Sequence, residues 1–336
     1  MKLATLNDGT RDGQLVVVAR DLKTAQLADG VAPTLQAALD DWPFIFPQLD
    51  AIYQQLNQGR GHRSFEFMPQ NCLAPLPRPF QRAEGASYLK GQELDCQARG
   101  VDVPVSLRSE PAIQQDGGDV LGSTADILLA YEAWGIDFGA QVAVICDDID
   151  VNPTPDQALL GIRLLLVSNA ITLRNLVMDE RAKGAGLLQA RPATAYSPVA
   201  VTPDELGDAW KSGKVHLPLR ASLNGKLLGQ PHAGADMAFN FPQLIAHLGR
   251  TRRIGAGTIV GAGPVLNKDA RRGVCCLFDK RNGEIVAKGE ALTPYLGFGD
   301  VVRIDMQDED GKSVFGAIEQ TLRQGQVTLK QSRTGP

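Results

Sequence analysis

Four histidines, at positions 62, 216, 232 and 247, and five cysteines, at 72, 96, 146, 275 and 276, are the chain's most versatile catalytic side chains. An imidazole moves protons near neutral pH and a thiolate attacks carbon, but both need a partner at fixed spacing. No such spacing is present. The cysteine count is odd and irregular, which argues against a disulfide framework; Cys275 and Cys276 are adjacent, too close for an unstrained bridge. The cysteines therefore read as small core residues in a reducing compartment. His216 falls in an alternating strand and His247 on a helix. His232, in Gln230-Pro231-His232-Ala233-Gly234, follows a hairpin and is the one best placed to line a pocket. Asp147, Asp148 and Asp150 sit beyond an apolar run and read as a solvated turn. The glycine-rich stretch 255–263 lacks the strand-to-helix context and the terminal Gly-Lys-Ser/Thr of a nucleotide loop. It reads as a close backbone approach at a pocket wall.

The elements that must carry these groups are mostly short strands. In residues 1–70 there is a strand at 15–19 and a helical pattern over 34–56. A run with four prolines, 69–80, links this small N-terminal domain to a main domain over 71–330. There, 142–145 suits a buried strand, and 155–167 has helical spacing of Leu and Ile. Thr202-Pro203-Asp204-Glu205 has the pattern of a capping box. Asn224-Gly225 predicts a type I′ hairpin. Residues 241–248 predict a helix, and 301–306 and 313–318 a final strand pair. Short strands, hairpin turns and few helices give an α+β class rather than a doubly wound sheet.

Composition excludes several functions. Hydrophobic residues make up 43%, charged residues 21%, and the net charge is −4, so no bulk footprint for nucleic acid exists. The basic stretches 250–253 and 268–272 read as solvated loops. The first residues hold no apolar signal-peptide core. No run approaches the roughly 18–20 apolar residues of a membrane span. A cytoplasmic protein is expected.

Several segments together carry a family resemblance: Trp134-Gly135-Ile136-Asp137-Phe138, Leu173-Arg174-Asn175, Pro192-Ala193-Thr194-Ala195-Tyr196-Ser197-Pro198, Gly255-Ala256-Gly257-Thr258-Ile259 and the strand start Gly299-Asp300. In order and content they resemble the fumarylacetoacetate hydrolase family over about residues 70–320. The resemblance implies a mixed β-roll core with a smaller N-terminal domain, a homodimer, and action on carbon chains bearing 1,3-dicarbonyl or 2-oxo acid groups. It also implies a hard divalent cation acting as Lewis acid and a His activating water. The family pattern places an Asp seven residues before that His, then Glu-x-Glu, then an Asp four residues before an Arg.

Those positions here hold Glu84, Gly91, Gly139-Ala140-Gln141 and Ala170. One carboxylate of four remains and the His is gone, so no bound metal and no other cofactor is expected. Arg174 is kept, and the family Lys before Pro-Ala-Thr is Arg191. The expected ligand is a small anionic carbonyl compound, bound by Arg174, Arg191, Thr258 and Gln141. The alternative is that Arg174 merely pairs with Glu84. Glu84, as a general base, and Lys90, as base or Schiff-base amine, are the catalytic candidates. Three functions stay open. The first is metal-independent condensation, cyclisation or C–C lyase chemistry, as in specialised metabolite biosynthesis. The second is a non-catalytic binding protein, and the third a metal-dependent hydrolase with an altered site. A ligand-sized polar pocket favours the first and a collapsed one the second.

Overall fold

The segment Ile162–Ala170, IRLLLVSNA, is buried at every residue but Arg163. So unbroken a strand needs cover on both faces. In the computed structural model, which describes residues 1–184 and 186–325, it lies in the middle of a twelve-stranded sheet. Its antiparallel neighbour Ala140–Cys146 is also fully buried. Val142 and Val144 of that strand enter one apolar cluster and Ala143 and Ile145 the other. The period of two thus feeds two cores from one strand. The helix expected over 155–167 stops early: Pro155–Leu160 is helical, capped by Thr154 and Gln157, and Gly161 ends it. A short apolar run fits helix and strand equally. Gly161 decides, because a Cβ there would meet Ile149 Cδ1 at 2.4 Å.

The N-terminal strands Lys2–Leu6, Gln14–Val18 and Thr24–Leu27 extend this same sheet, joined by the pairing of Lys2–Leu6 with Ala200–Val201. Helices Leu35–Asp40 and Trp42–Asn57 cover it, burying Leu35, Leu49 and Tyr53. On the other side Thr258–Gly261 lies between Ala140–Cys146 and Gln81–Gly85, and it sets Glu84 opposite Gly261. A second, five-stranded sheet runs Lys226–Gly229, Leu219–Leu223, Val301–Met306, Ile318–Gln324, Ile127–Leu129. The class is α+β with mixed sheets.

The Asn224-Gly225 hairpin forms with φ of 51° and 75°, the two positive values a type I′ turn requires. Two expectations fail locally. The last strand is Ile318–Gln324 rather than 313–318, since Gly316 turns at φ 73° and Ser313 makes only a bridge to Gln307. Thr202 caps nothing; its hydroxyl accepts from the Met1 amine, and Pro203–Ala209 is a 3-10 turn. Residues 326–330 of the expected main domain lie outside the described residues. Among the described residues no helix is long and apolar enough to cross a membrane.

Leu165 is fully buried in the central strand. Leu165→Ala is expected to cost about 2–5 kcal/mol, read from urea unfolding. A loss under about 1 kcal/mol would mean that this strand is not the core.

Candidate functional site

Four segments enclose a cavity of about 520 Å³, with Glu84, Gly91, Arg174, Arg191, Cys276 and Asp279 among its lining. Glu84 comes from strand Gln81–Gly85, Gly91 from helix Leu89–Arg99, Arg174 from the start of helix Arg174–Ala182 and Asp279 from helix Leu277–Lys288. Four guanidinium groups, of Arg99, Arg174, Arg181 and Arg191, face three carboxyls, of Glu84, Asp95 and Asp279. Arg99 is already paired with Asp95 at 2.9 Å.

Asp137 fixes one side. Gly135, at φ 69°, turns the chain so that Asp137 enters the interior with no exposure. Its carboxylate accepts from the backbone N–H of Leu277 at 2.7 Å and of Phe278 at 3.1 Å. It also accepts from Arg174 Nε at 2.9 Å. The helix start and the guanidinium are therefore located by one carboxylate. The Arg174 guanidinium lies 4.3 Å from the Phe278 ring centroid. Its two terminal nitrogens have no hydrogen-bond acceptor among the described residues, and they form a fork open to the cavity.

The floor is a closed charge network. Glu84 Oε2 accepts from Gln141 Nε2 at 2.7 Å and from Arg191. Gln141 Oε1 in turn accepts from the Gly263 N–H at 2.6 Å. Arg191 also donates to Thr172 Oγ1 at 3.0 Å and stands 3.9 Å from Asp116. Arg82 reaches Asp116 at 3.5 Å. Burial penalises the Arg191 guanidinium, but Glu84 and Asp116 outweigh that and hold its pKa above the ordinary value.

Of the six residues expected at the site, Glu84, Arg174 and Arg191 line the cavity. Gln141 sits behind Glu84, 2% exposed, as its support. Thr258 and Lys90 are not part of the lining. The Thr258 hydroxyl is turned back onto the Gly255 carbonyl at 2.7 Å, where it closes its own turn. Lys90, on the first turn of helix Leu89–Arg99, lies outside the wall that its neighbour Gly91 joins. The alternative pairing of Arg174 with Glu84 does not occur; Asp137 takes Arg174 and Arg191 takes Glu84. No histidine lines the cavity. His232 instead packs 5.8 Å from His216 and donates its backbone N–H to Asn267. Asp148 and Asp150 are exposed, as in a solvated turn, while Asp147 is half-buried and pairs with Arg163; Asp148 also accepts from the Ala256 N–H.

The residues do not fit a divalent cation held by carboxylates. Gly139 and Ala170 carry no donor, and a Cβ on Gly139 would lie 3.8 Å from that of Ala170. Glu84 Oε2 is already occupied. Among the described residues no group of three or more His, Cys, Asp or Glu is placed to hold a metal ion.

Asp279 was not singled out from the sequence, because an acid in the first turn of a helix is commonplace. The helix itself was missed too, since Gly283 interrupts its pattern. A Cβ on Gly91 would lie 3.3 Å from Asp279 Oδ1, so this carboxyl faces the position where the family pattern has its His. No N–H donates to its oxygens among the described residues. Burial pushes its pKa up to about 6, opposed by the Cys276 thiol and Arg174.

The family description "Fumarylacetoacetate (FAA) hydrolase C-terminal" matches residues 91–323. "Fumarylacetoacetase N-terminal domain 2" matches residues 1–78. The chain belongs to the fumarylacetoacetate hydrolase family. Among solved structures it is similar to maleylpyruvate hydrolase from Sphingobium sp. SYK-6 in complex with manganese(II) ion and pyruvate. That match has TM-score 0.64 and 16% identity over 97% of this chain and 100% of the other. It is similar also to fumarylacetoacetate hydrolase from psychrophilic Exiguobacterium antarcticum, at TM-score 0.64 and 16% identity over 96% and 99%. A third is 2-hydroxyhepta-2,4-diene-1,7-dioate isomerase from Mycobacterium marinum, at TM-score 0.58 and 14% identity over 96% and 98%. At these identities the likeness is one of fold. No curated protein matches the chain.

A prediction concerns Asp279. Its pKa is raised from 3.8 to about 6, so it favours the fold while protonated and loses that contribution as pH rises through about 6. Asp279→Asn should therefore be more stable than the parent at neutral pH, by up to about 3 kcal/mol. The gain should vanish in thermal melts as pH falls below 4. A difference that stays constant across this range would show that Asp279 titrates normally.

Proposed function

We propose that the cavity binds a small anionic carbonyl compound, a 2-oxo acid or an enolised β-dicarbonyl, and moves a proton on it without a divalent metal. The observation that carries this reading is the Arg174 fork, held by Asp137 and lining a ligand-sized cavity beside the Asp279 carboxyl, which no N–H reaches among the described residues. Two parallel N–H groups match a carboxylate or an enolate bidentately. A collapsed, apolar pocket would have favoured a purely structural relative; this one has about 520 Å³.

The proton moves by ordinary acid–base chemistry. Arg174 holds the ligand's carboxylate or enolate oxygens. A carbon between two carbonyls, or next to one, loses a proton to Asp279, and the electron pair passes into the carbonyl to give an enolate. The positive wall stabilises the new charge. That enolate is the common entry to condensation, cyclisation and C–C lyase chemistry. A group with pKa near 6 suits the transfer near neutral pH. Glu84 is a weaker candidate base because it is committed to Arg191 and Gln141.

The test uses oxalate and pyruvate in the presence of EDTA. Calorimetry should register oxalate binding that tightens as pH falls through about 6, because protonation removes a like charge from the wall. Arg174→Lys, which keeps the charge but loses the fork, should weaken it at least about tenfold. Asp279→Asn should bind oxalate without that pH dependence. It should also lose the exchange of pyruvate methyl protons with D2O that the parent catalyses. Binding that requires added Mg²⁺, or no binding at all, would sink the proposal.

A further inference from the structure

The positions that the family pattern gives to metal ligands converge here on a group that is not a metal. Glu84 and Gln141 are hydrogen-bonded at 2.7 Å. Gly139 and Ala170 are neighbours across paired strands, with the Ala170 N–H donating to the Gly139 carbonyl at 2.9 Å. Arg191 enters this cluster, 5% exposed, bonding Glu84 on one side and Thr172 on the other. Its Nε and the Asp116 Oδ1 are both buried, have no hydrogen-bond partner among the described residues, and stand 3.9 Å apart.

We infer that the Arg191 guanidinium is a tethered cation that takes the place of a divalent metal in this site. A buried carboxylate requires a compensating charge within reach. Glu84 and Asp116 are both buried, and Arg191 stands between them with Arg82 closing the far side of Asp116. A planar fork is the side chain that spans two acceptors at once.

The chain also builds a mount for it. Glu180 collects the backbone N–H groups of Leu188 at 3.1 Å, Gln189 at 2.7 Å and Ala190 at 2.9 Å. The Ala190 carbonyl then accepts from the Leu173 N–H at 2.8 Å. The three residues before Arg191 are thereby clamped, and the guanidinium is delivered to one place. A cation fixed by the backbone cannot be chelated, exchanged or diluted away. The positive floor of the cavity would be permanent, and a divalent ion could enter only by evicting a buried, hydrogen-bonded Arg.

The experiment measures Mn²⁺ binding to the full chain by water-proton relaxation, which needs no substrate. The parent should show no saturable binding at millimolar Mn²⁺. Arg191→Ala should gain at least about tenfold in Mn²⁺ affinity, since it removes a full charge beside two carboxylates. Adding Glu84→Gln should abolish the gain. Arg191→Gln, which removes the charge but can still donate toward Glu84, should show the same gain and covers the case in which the Ala variant fails to fold. Saturable Mn²⁺ binding to the parent that Glu84→Gln removes would overturn the inference, as would a folded Arg191→Ala with no gain. A second arm rests on the oxo-acid reading. Oxalate binding should be unaffected by EDTA in the parent, weakened in Arg191→Ala, and restored there by Mn²⁺. If the parent binds no oxalate, the proposed function fails while the Mn²⁺ arm still decides the role of Arg191.

Discussion

Two buried carboxylates, Glu84 in the cavity lining and Asp116 within reach of the same Arg191, need positive charge beside them, and much of the site's construction follows from that constraint. Arg191 and Arg82 supply the charge, Gln141 supplies the remaining donor, and Gly263 holds Gln141 in turn. Each member has at least one bond fixing it to backbone or to an opposite charge. Such a network is worth little as net stability, because desolvation consumes most of the Coulomb gain. Its value lies in order: breaking any one member leaves a charge unpaired in the interior, so the arrangement is held in one geometry.

The wall above the floor is organised by a third buried carboxylate, Asp137. It ties the beginning of helix Leu277–Lys288 to Arg174, and so sets the distance between the Arg174 fork and Asp279 on that helix. The two anchors divide the labour. One holds Arg191 against Glu84, and the other presents the Arg174 guanidinium near a carboxyl whose pKa burial raises to about 6. In the proposed reaction the Arg would bind the charge and the acid would handle the proton.

The framework segments around Trp134, Arg174 and Pro192 were enough to read the family and the class of fold, because glycines and apolar residues there have steric jobs that leave few substitutes. They also pointed to Arg174 and Arg191, and the family pattern around 84–91 to Glu84, three charged residues of the cavity lining. What they could not convey was pairing. Arg174 sits beside Asp137 because a glycine turn aims that carboxylate inward, and no linear spacing encodes it. Asp279 escaped notice because its importance comes from Gly91 and from burial, both properties of the packed structure. Thr258 and Lys90 failed for the opposite reason. The Thr258 hydroxyl closes its own turn, and Lys90 is not in the cavity lining that its neighbour Gly91 joins. The 155–167 segment shows the limit for secondary structure, since Leu and Ile spacing alone cannot tell a buried strand from a helix.

On the proposed reading, this cavity takes its anion on guanidinium groups and not on a metal. The most direct measurement is a crystal structure of the chain grown with Mn²⁺ and pyruvate, with anomalous data collected at the manganese edge. The account predicts pyruvate with its carboxylate on the Arg174 fork, Arg191 still bonded to Glu84, and no anomalous peak within the Glu84–Gln141 cluster. A manganese peak ligated by Glu84, with pyruvate bound to the metal and Arg191 displaced, would contradict it.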